Sequence, residues 1–440
     1  PSQDANADGS RKGMKLQVSP RGARLIRIGT GPGKMAAVMT DVIYLDCNAT
    51  TPCDPQVVEA MLPYMTTTFA NPTTSNHRPG RDAATALERA RAAVDTLLGG
   101  GAASEVVFTA GATEANNLAL IGAAEALEDR GRHLISQRTE HASVIEPLMA
   151  LKRRGWEITL LGVDGEGRVD LDELERVLRD DTALVSLMLA NNETGTVQPV
   201  ARASRLVGSR GAMMHCDAAQ AIGKIPVDVA ELGVDLLTLS AHKFHGPKGV
   251  GALWVRHRRP PIALATVIFG GGQEGGLRSG TPNVPGAVGM ACAMELAVEG
   301  VGPQARRMAA LRDRMERRIL DAVEGSFRNG AADHRLPNTS NLSFESVEIN
   351  ALLASLPDLA LNTGSACTSA HPEPSPVLLA MGVPEELAGS SLRLSLGRFT
   401  TEDEVDRAAE RIVEEVVRLR DLPTRLGRGS HLRAGSRRRG

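Results

Sequence analysis

A chain of 440 residues with 50 Lys and Arg against 52 Asp and Glu, net charge −2, is long enough to bury a large core and to form two domains. Aromatic residues make up only 2 %, so Leu, Val, Ala and Ile must fill that core. The charge divides into +5 over residues 1–40, +5 over 421–440 and −12 over the body between, which argues against direct nucleic-acid binding by the body.

Residues 1–40 read as a tag or disordered extension. Their polar start lacks the apolar stretch of a signal peptide. Gly29-Thr30-Gly31-Pro32-Gly33-Lys34 has the wrong spacing for a phosphate loop and lacks the Ser or Thr after Lys. Asp54-Pro55 reads as an N-cap and first-turn proline opening a helix through Met65. An Ala-rich amphipathic helix follows over 81–98. Strands are expected at 106–109, 132–136, 156–162, 183–189, 212–216, 235–239 and 251–255, with helices between most of them. This alternation predicts an α/β fold with a mostly parallel sheet, in which ligands bind at the carboxyl ends of the strands. The large domain covers 54–300. A helical stretch over 286–325 then leads to a smaller α+β domain, built from 41–53 and 301–420 and closed by a charged amphipathic helix over 401–419. Residues 421–440 read as a disordered basic tail. No apolar run approaches the roughly 20 residues that span a bilayer, so no membrane association is expected.

Five Cys, at 47, 53, 216, 292 and 367, are too few and too scattered for a disulfide framework, and no C-x-x-C pair suggests a zinc site. A reducing cytoplasm is the expected location. Cys216 and Cys292 lie in apolar contexts and read as core. Cys367, in Gly364-Ser365-Ala366-Cys367-Thr368-Ser369, sits among small residues that suit a reactive thiol.

Arg outnumbers Lys 43 to seven, so each surviving Lys is a candidate for chemistry that a permanently charged guanidinium cannot do. Lys243 follows the apolar strand 235–239 in Ser240-Ala241-His242-Lys243, and a desolvated amine there suits imine formation. Lys152 ends a solvated helix, and Lys224 and Lys248 lie in Gly/Pro turns. Gly111-Ala112-Thr113 marks a strand-to-helix turn that could cradle a phosphate, with Ser240 and His242 adding weight. His141 either stacks on a flat ring and moves protons or is satisfied by water at a helix start. Asp217, at a strand end, either meets a pyridine nitrogen or caps the next helix, with Gln220 one turn on. Asn191-Asn192-Glu193 is a polar turn or a cluster reading cofactor and substrate. Gly270–Thr281 is a Gly-rich loop. Arg393, on an apolar strand, needs an anion, and a substrate carboxylate would provide one.

Together with Tyr44-Leu45-Asp46-Cys47-Asn48-Ala49-Thr50-Thr51-Pro52 and Arg278-Ser279-Gly280-Thr281, these motifs occur in an order that resembles the NifS/IscS-type cysteine desulfurases. These are class V, fold-type-I pyridoxal 5'-phosphate enzymes, and the resemblance runs from about residue 42 to 419. It implies a seven-stranded sheet and a Schiff base at Lys243. It places Asp217 at the pyridine nitrogen, Gln220 and Asn192 near the ring hydroxyl, and His141 on the ring face. Ala112, Thr113, Ser240 and His242 would bind phosphate, with Thr281 reaching a second subunit of a homodimer. Arg393 and Asn192 would hold the carboxylate of L-cysteine. Cys367 would take its sulfur as a persulfide, leaving L-alanine, and pass it to a sulfur-acceptor protein. The Arg-rich tail stands in place of a segment that contacts iron–sulfur scaffolds, which keeps tRNA thiolation and DNA phosphorothioation beside iron–sulfur assembly as destinations. The alternatives are a selenocysteine lyase or class V aminotransferase of the same fold, and a non-catalytic sulfur-relay scaffold.

Overall fold

A computed structural model describes residues 42–101, 104–259, 261–364 and 374–429, with side chains to residue 421. Twelve strands occur in chain order among the described residues. They are β1 (Ile43–Tyr44), β2 (Ser104–Thr109), β3 (His133–Gln137), β4 (Glu157–Leu161), β5 (Thr182–Met188), β6 (Met213–Asp217), β7 (Leu236–Ser240), β8 (Gly251–Arg256), β9 (Ser326–Arg328), β10 (Thr339–Phe344), β11 (Leu359–Ala360) and β12 (Ser391–Ser395).

Strands β2 to β8 form one seven-stranded sheet in the order β2-β8-β7-β6-β5-β3-β4. Only β8 runs against its neighbours, so the sheet is mostly parallel, as the helix–strand alternation predicts. Apolar side chains leave both faces because both are covered. Val185, Leu187, Met214, Leu237 and Leu239 pack on one side with the helices Arg78–Leu97 and Val284–Glu299. Leu134, Leu184, Met213 and Leu236 pack on the other with Leu118, Val144 and Leu148. A separate core joins antiparallel β9, β10 and β12 to Leu311, Met315, Ile412 and Val416 of the long C-terminal helices. Strand β1 pairs with β11, so the first described residues join this second core.

The helix starts follow their caps. Asp54 accepts from the Gln56 N–H at 3.0 Å, with Pro55 in the first turn of Pro55–Thr66. The next helix begins at Arg78, earlier than 81, because His77 Nδ1 caps the Gly80 N–H and Pro79 fits the first turn. The helical stretch over 286–325 is two helices, Val284–Glu299 and Val301–Ala322, bent by 73°. Gly300, Gly302 and Pro303 explain the break: glycine disfavours helix, and proline fits best in a first turn. No single described helix is long and apolar enough to cross a membrane. The last helix, Glu402–Gly429, passes Leu419 and replaces the first part of the expected tail, although Pro423 lies within it. Residues 1–41 and 430–440 lie outside the described residues.

Candidate active site

A cavity of about 780 Å³ opens at the carboxyl ends of β2, β3, β5, β6 and β7. It gathers Ala112, Thr113, His141, Asn192, Asp217, Gln220, Ser240, His242 and Lys243, which lie over a hundred residues apart in sequence. Parallel strands bring their carboxyl ends to one edge of the sheet, and the polar residue after each strand therefore faces the same space.

Lys243 ends the short turn Ala241–Lys243 after β7. Its Nζ donates to the backbone carbonyl oxygens of Asn48 at 2.7 Å and Ala49 at 2.8 Å. Burial first, then the Arg393 guanidinium, lower its pKa to about 8. An amine so placed is partly neutral near physiological pH and can act as a nucleophile or a base. The segment 48–51 is pinned over it: the Thr51 N–H and Oγ1 both donate to the His242 carbonyl oxygen at 2.9 Å.

At one end of the cavity, Asp217 closes β6. Its Oδ2 accepts from Asn116 Nδ2 at 2.8 Å and its Oδ1 from the Ala219 N–H at 2.9 Å. Asn116 Nδ2 also donates to Ser143 Oγ, which lies 2.8 Å from His141 Nδ1. His141 therefore does two jobs. It caps the helix Ala142–Arg153 through the Ser143 N–H, and its ring faces the open cavity. Surrounding protein lowers its pKa, against the opposing pull of Asp217. Beneath Asp217, His215 bridges Ser186 Oγ at 2.8 Å and Thr238 Oγ1 at 3.1 Å, and burial lowers its pKa to about 4.

At the other end, the turn at Gly111 begins the helix Ala112–Asn117. Strand β8 passes so close that a Cβ on Gly251 would lie 2.7 Å from the Gly111 backbone, which requires glycine there. Ser240 Oγ lines this end, buried and without a hydrogen-bond partner among the described residues. His242 Nδ1 lies 3.1 Å from Thr50 Oγ1. The Gly-rich loop reaches the rim through Arg278, whose Nε donates to Glu114 Oε1 at 2.8 Å.

Arg393 lies on β12 and is buried. Its Nη1 donates to the Asn192 carbonyl oxygen at 3.1 Å, and its Nη2 pairs with Asp46 Oδ1 at 2.5 Å. The anion that this buried cation meets is thus Asp46, a residue to which the sequence reading assigned no role. Thr281 is exposed and does not line the cavity. Cys367 lies outside the described residues.

Three further groups escaped the sequence reading. Asn48 donates from Nδ2 to the Asn192 carbonyl oxygen at 3.1 Å and to Thr339 Oγ1 at 2.9 Å, tying the cavity to β10. Glu140 is buried, accepts from the Met188 N–H, and is pushed well above the usual carboxylate range by burial and then by Asp217. Lys224 lies in a turn, as expected, but it is buried, with Nζ 2.7 Å from Gln220 Oε1 and 3.0 Å from Asn48 Oδ1. No local pattern marked its burial, because residues 219–224 form turns and not a helix whose three- and four-residue spacing would align Asp217, Gln220 and Lys224.

The aminotransferase class-V family model matches residues 43–408. A cysteine desulfurase IscS from Anaeromyxobacter dehalogenans (strain 2CP-C) is 49 % identical over 380 residues, covering 86 % of this chain and 94 % of the relative. A solved NifS-like protein superposes with a TM-score of 0.79 at 39 % identity, covering 86 % of this chain and 99 % of the other. The solved structure of SspA in complex with cysteine gives 0.71 at 34 %, covering 82 % and 100 %.

Proposed function

The chain belongs to the aminotransferase class-V family, and from its site and relatives together we infer the reaction: it is a pyridoxal-phosphate-dependent cysteine desulfurase. The observation that carries this reading is Lys243, an amine of lowered pKa held by two carbonyls in the same cavity as Asp217 and the Ser240 hydroxyl. Alanine release from L-cysteine by the purified protein, measured with and without added pyridoxal phosphate, tests it.

The residues present fit the cofactor. A buried hydroxyl needs a partner. Ser240 Oγ has none among the described residues, and it sits beside the Gly111 turn where a phosphate would provide an acceptor. Ala112, Thr113 and His242 complete that end, with Thr281 of the partner subunit. Lys243 would hold the aldehyde carbon and Asp217 the ring nitrogen. Gln220 and Asn192 would face the ring hydroxyl, and His141 the ring face. When bound, pyridoxal phosphate supplies an electron-poor ring that takes up electron density from the substrate Cα.

The chain's own residues do the rest. Arg393 and Asn192 orient the substrate carboxylate. Lys243 Nζ, neutral in part because burial opposes its charge, takes the Cα proton. The Cys367 sulfur attacks the substrate sulfur: a sulfur–sulfur bond forms, the carbon–sulfur bond breaks, and its electron pair stays with carbon. That carbon takes a proton to become the methyl group, and Lys243 returns the Cα proton, giving L-alanine. Cys367 is left as a persulfide, and the sum is cysteine plus thiol giving alanine plus persulfide.

The homodimer rests on exposed apolar side chains. Phe269 is 82 % exposed on the loop that leads to Thr281, and Phe69 is 74 % exposed. A second copy would cover such surface and receive Thr281. The division into a large cofactor-binding domain and a smaller one carrying Cys367 rests on the two separate apolar cores. Cytoplasmic location rests on the free thiols of Cys47, Cys53, Cys216 and Cys292. The sulfur passes to an acceptor protein. Iron–sulfur assembly, tRNA thiolation and DNA phosphorothioation are told apart by which proteins co-purify from the native cell.

A further inference from the structure

The mechanism above leaves one buried amine unused. Lys224 follows β6 in the turn that carries Asp217 and Gln220, held by Ala221 N–H to the Ala218 carbonyl at 2.9 Å and Ile225 N–H to the Ala221 carbonyl at 3.1 Å. Its side chain is buried, and Nζ reaches Gln220 Oε1 at 2.7 Å and Asn48 Oδ1 at 3.0 Å. Asn338 Nδ2 donates to the same Asn48 Oδ1 at 3.1 Å, so both lone pairs of that oxygen are used. The Asn48 amide is thereby locked, with its Nδ2 on Asn192 and Thr339.

A lysine ammonium has three N–H groups and no acceptor. It can face only the carbonyl end of the Gln220 amide; the flipped amide would set donor against donor. The Gln220 nitrogen is therefore turned the other way. One of its N–H groups goes to the Asn48 carbonyl oxygen at 2.9 Å, the oxygen that Lys243 also contacts at 2.7 Å. The second N–H remains for the cavity that Gln220 lines. We propose that Lys224 is a positioning residue that sets the hydrogen-bond polarity of Gln220, so that Gln220 presents a donor, and not an acceptor, to the ring hydroxyl oxygen of the cofactor. Burial, and then the charge of Lys243, lower the Lys224 pKa to about 7; the protonated amine, which has no lone pair, is the form that fixes the Gln220 amide. The inference rests on the reading that Gln220 faces that hydroxyl.

The test is a spectroscopic titration of cofactor-free protein with pyridoxal phosphate, reading the dissociation constant and the visible absorption maximum. Lys224→Met leaves an apolar side chain of similar length and no unpaired charge. It is expected to weaken binding about tenfold and to shift the absorption maximum. In a Gln220→Ala background the same substitution should change neither quantity, because its effect passes through Gln220. Gln220→Glu asks the question without touching Lys224: a carboxylate satisfies the amine but offers the cavity no donor, so it should also weaken binding. Equal effects of Lys224→Met in both backgrounds, or wild-type binding by Gln220→Glu, overturn the inference. Failure of the wild-type protein to take up pyridoxal phosphate would instead overturn the functional reading beneath it. Should Lys224→Met not fold, the Gln220→Glu arm decides alone.

Discussion

Lys243 Nζ lies 2.7 Å from the backbone carbonyl oxygen of Asn48, a contact across 195 positions of sequence. Among the described residues the amine has no carboxylate within ion-pair distance. Neutral carbonyls fix its position without holding its proton as a carboxylate would, and burial and Arg393 push toward the neutral form. Reduction of the holoenzyme with borohydride should attach the cofactor irreversibly to Lys243, seen by peptide mass spectrometry. Lys243→Ala should show no such adduct. An adduct on Lys224 or Lys248 in the wild-type protein would refute the assignment.

Arg393 presents a second relationship with a measurable consequence. It is 4 % exposed and paired with Asp46. Removing one partner of a buried pair costs about 3–5 kcal/mol, because the other charge stays buried. Asp46→Asn should therefore destabilise the protein by roughly 2–4 kcal/mol in urea unfolding, a little less because Asp46 is partly exposed. Arg393→Gln should raise the KM for L-cysteine by about 100-fold while leaving cofactor absorbance in place, since the proposed charge-assisted contact to the substrate carboxylate would be lost. An unchanged KM would remove Arg393 from substrate binding.

The site's strand ends were legible in the sequence because each parallel strand finishes in an apolar run followed by a polar residue. Lys243, Asp217, His141 and the Gly111 turn all stand at such places. What stayed hidden is what depends on distant segments. Nothing local to Asn48 says that it bridges Lys224, Asn192 and Thr339, and nothing local to Lys224 says that it is buried. Arg393 carried the right signal, an inward charge, but its partner Asp46 lies 347 positions away. The break at Gly300 was readable from Gly-x-Gly-Pro and outweighs the helical periodicity around it.

Acid stability follows from buried histidines. Burial lowers His215, His242 and His245 to about 4 from 6.5. The unfolded chain then binds protons first, so stability is full above pH 6.5 and is lost as pH falls toward 4. His215, wholly buried, should account for on the order of 2–3 kcal/mol of that loss. Glu140, raised well above 4.5, acts in the opposite direction as the pH falls. Urea unfolding of cofactor-free protein between pH 7 and 4 should show the decline, and His215→Gln should flatten it. A parallel decline in the variant would contradict the assignment.

Sulfur transfer separates the desulfurase from an aminotransferase of the same fold. Cys367→Ser should keep the bound cofactor and lose alanine release, because no thiol remains to take the sulfur. A selenocysteine lyase would still turn over selenocysteine in that variant.

The most direct measurement is mass spectrometry of the Cys367 peptide after the holoenzyme is mixed with one equivalent of L-cysteine. One added sulfur atom should appear on Cys367, in step with one alanine released. Stoichiometric alanine with Cys367 unmodified, and the added sulfur on Cys47, Cys53, Cys216 or Cys292 instead, would contradict it.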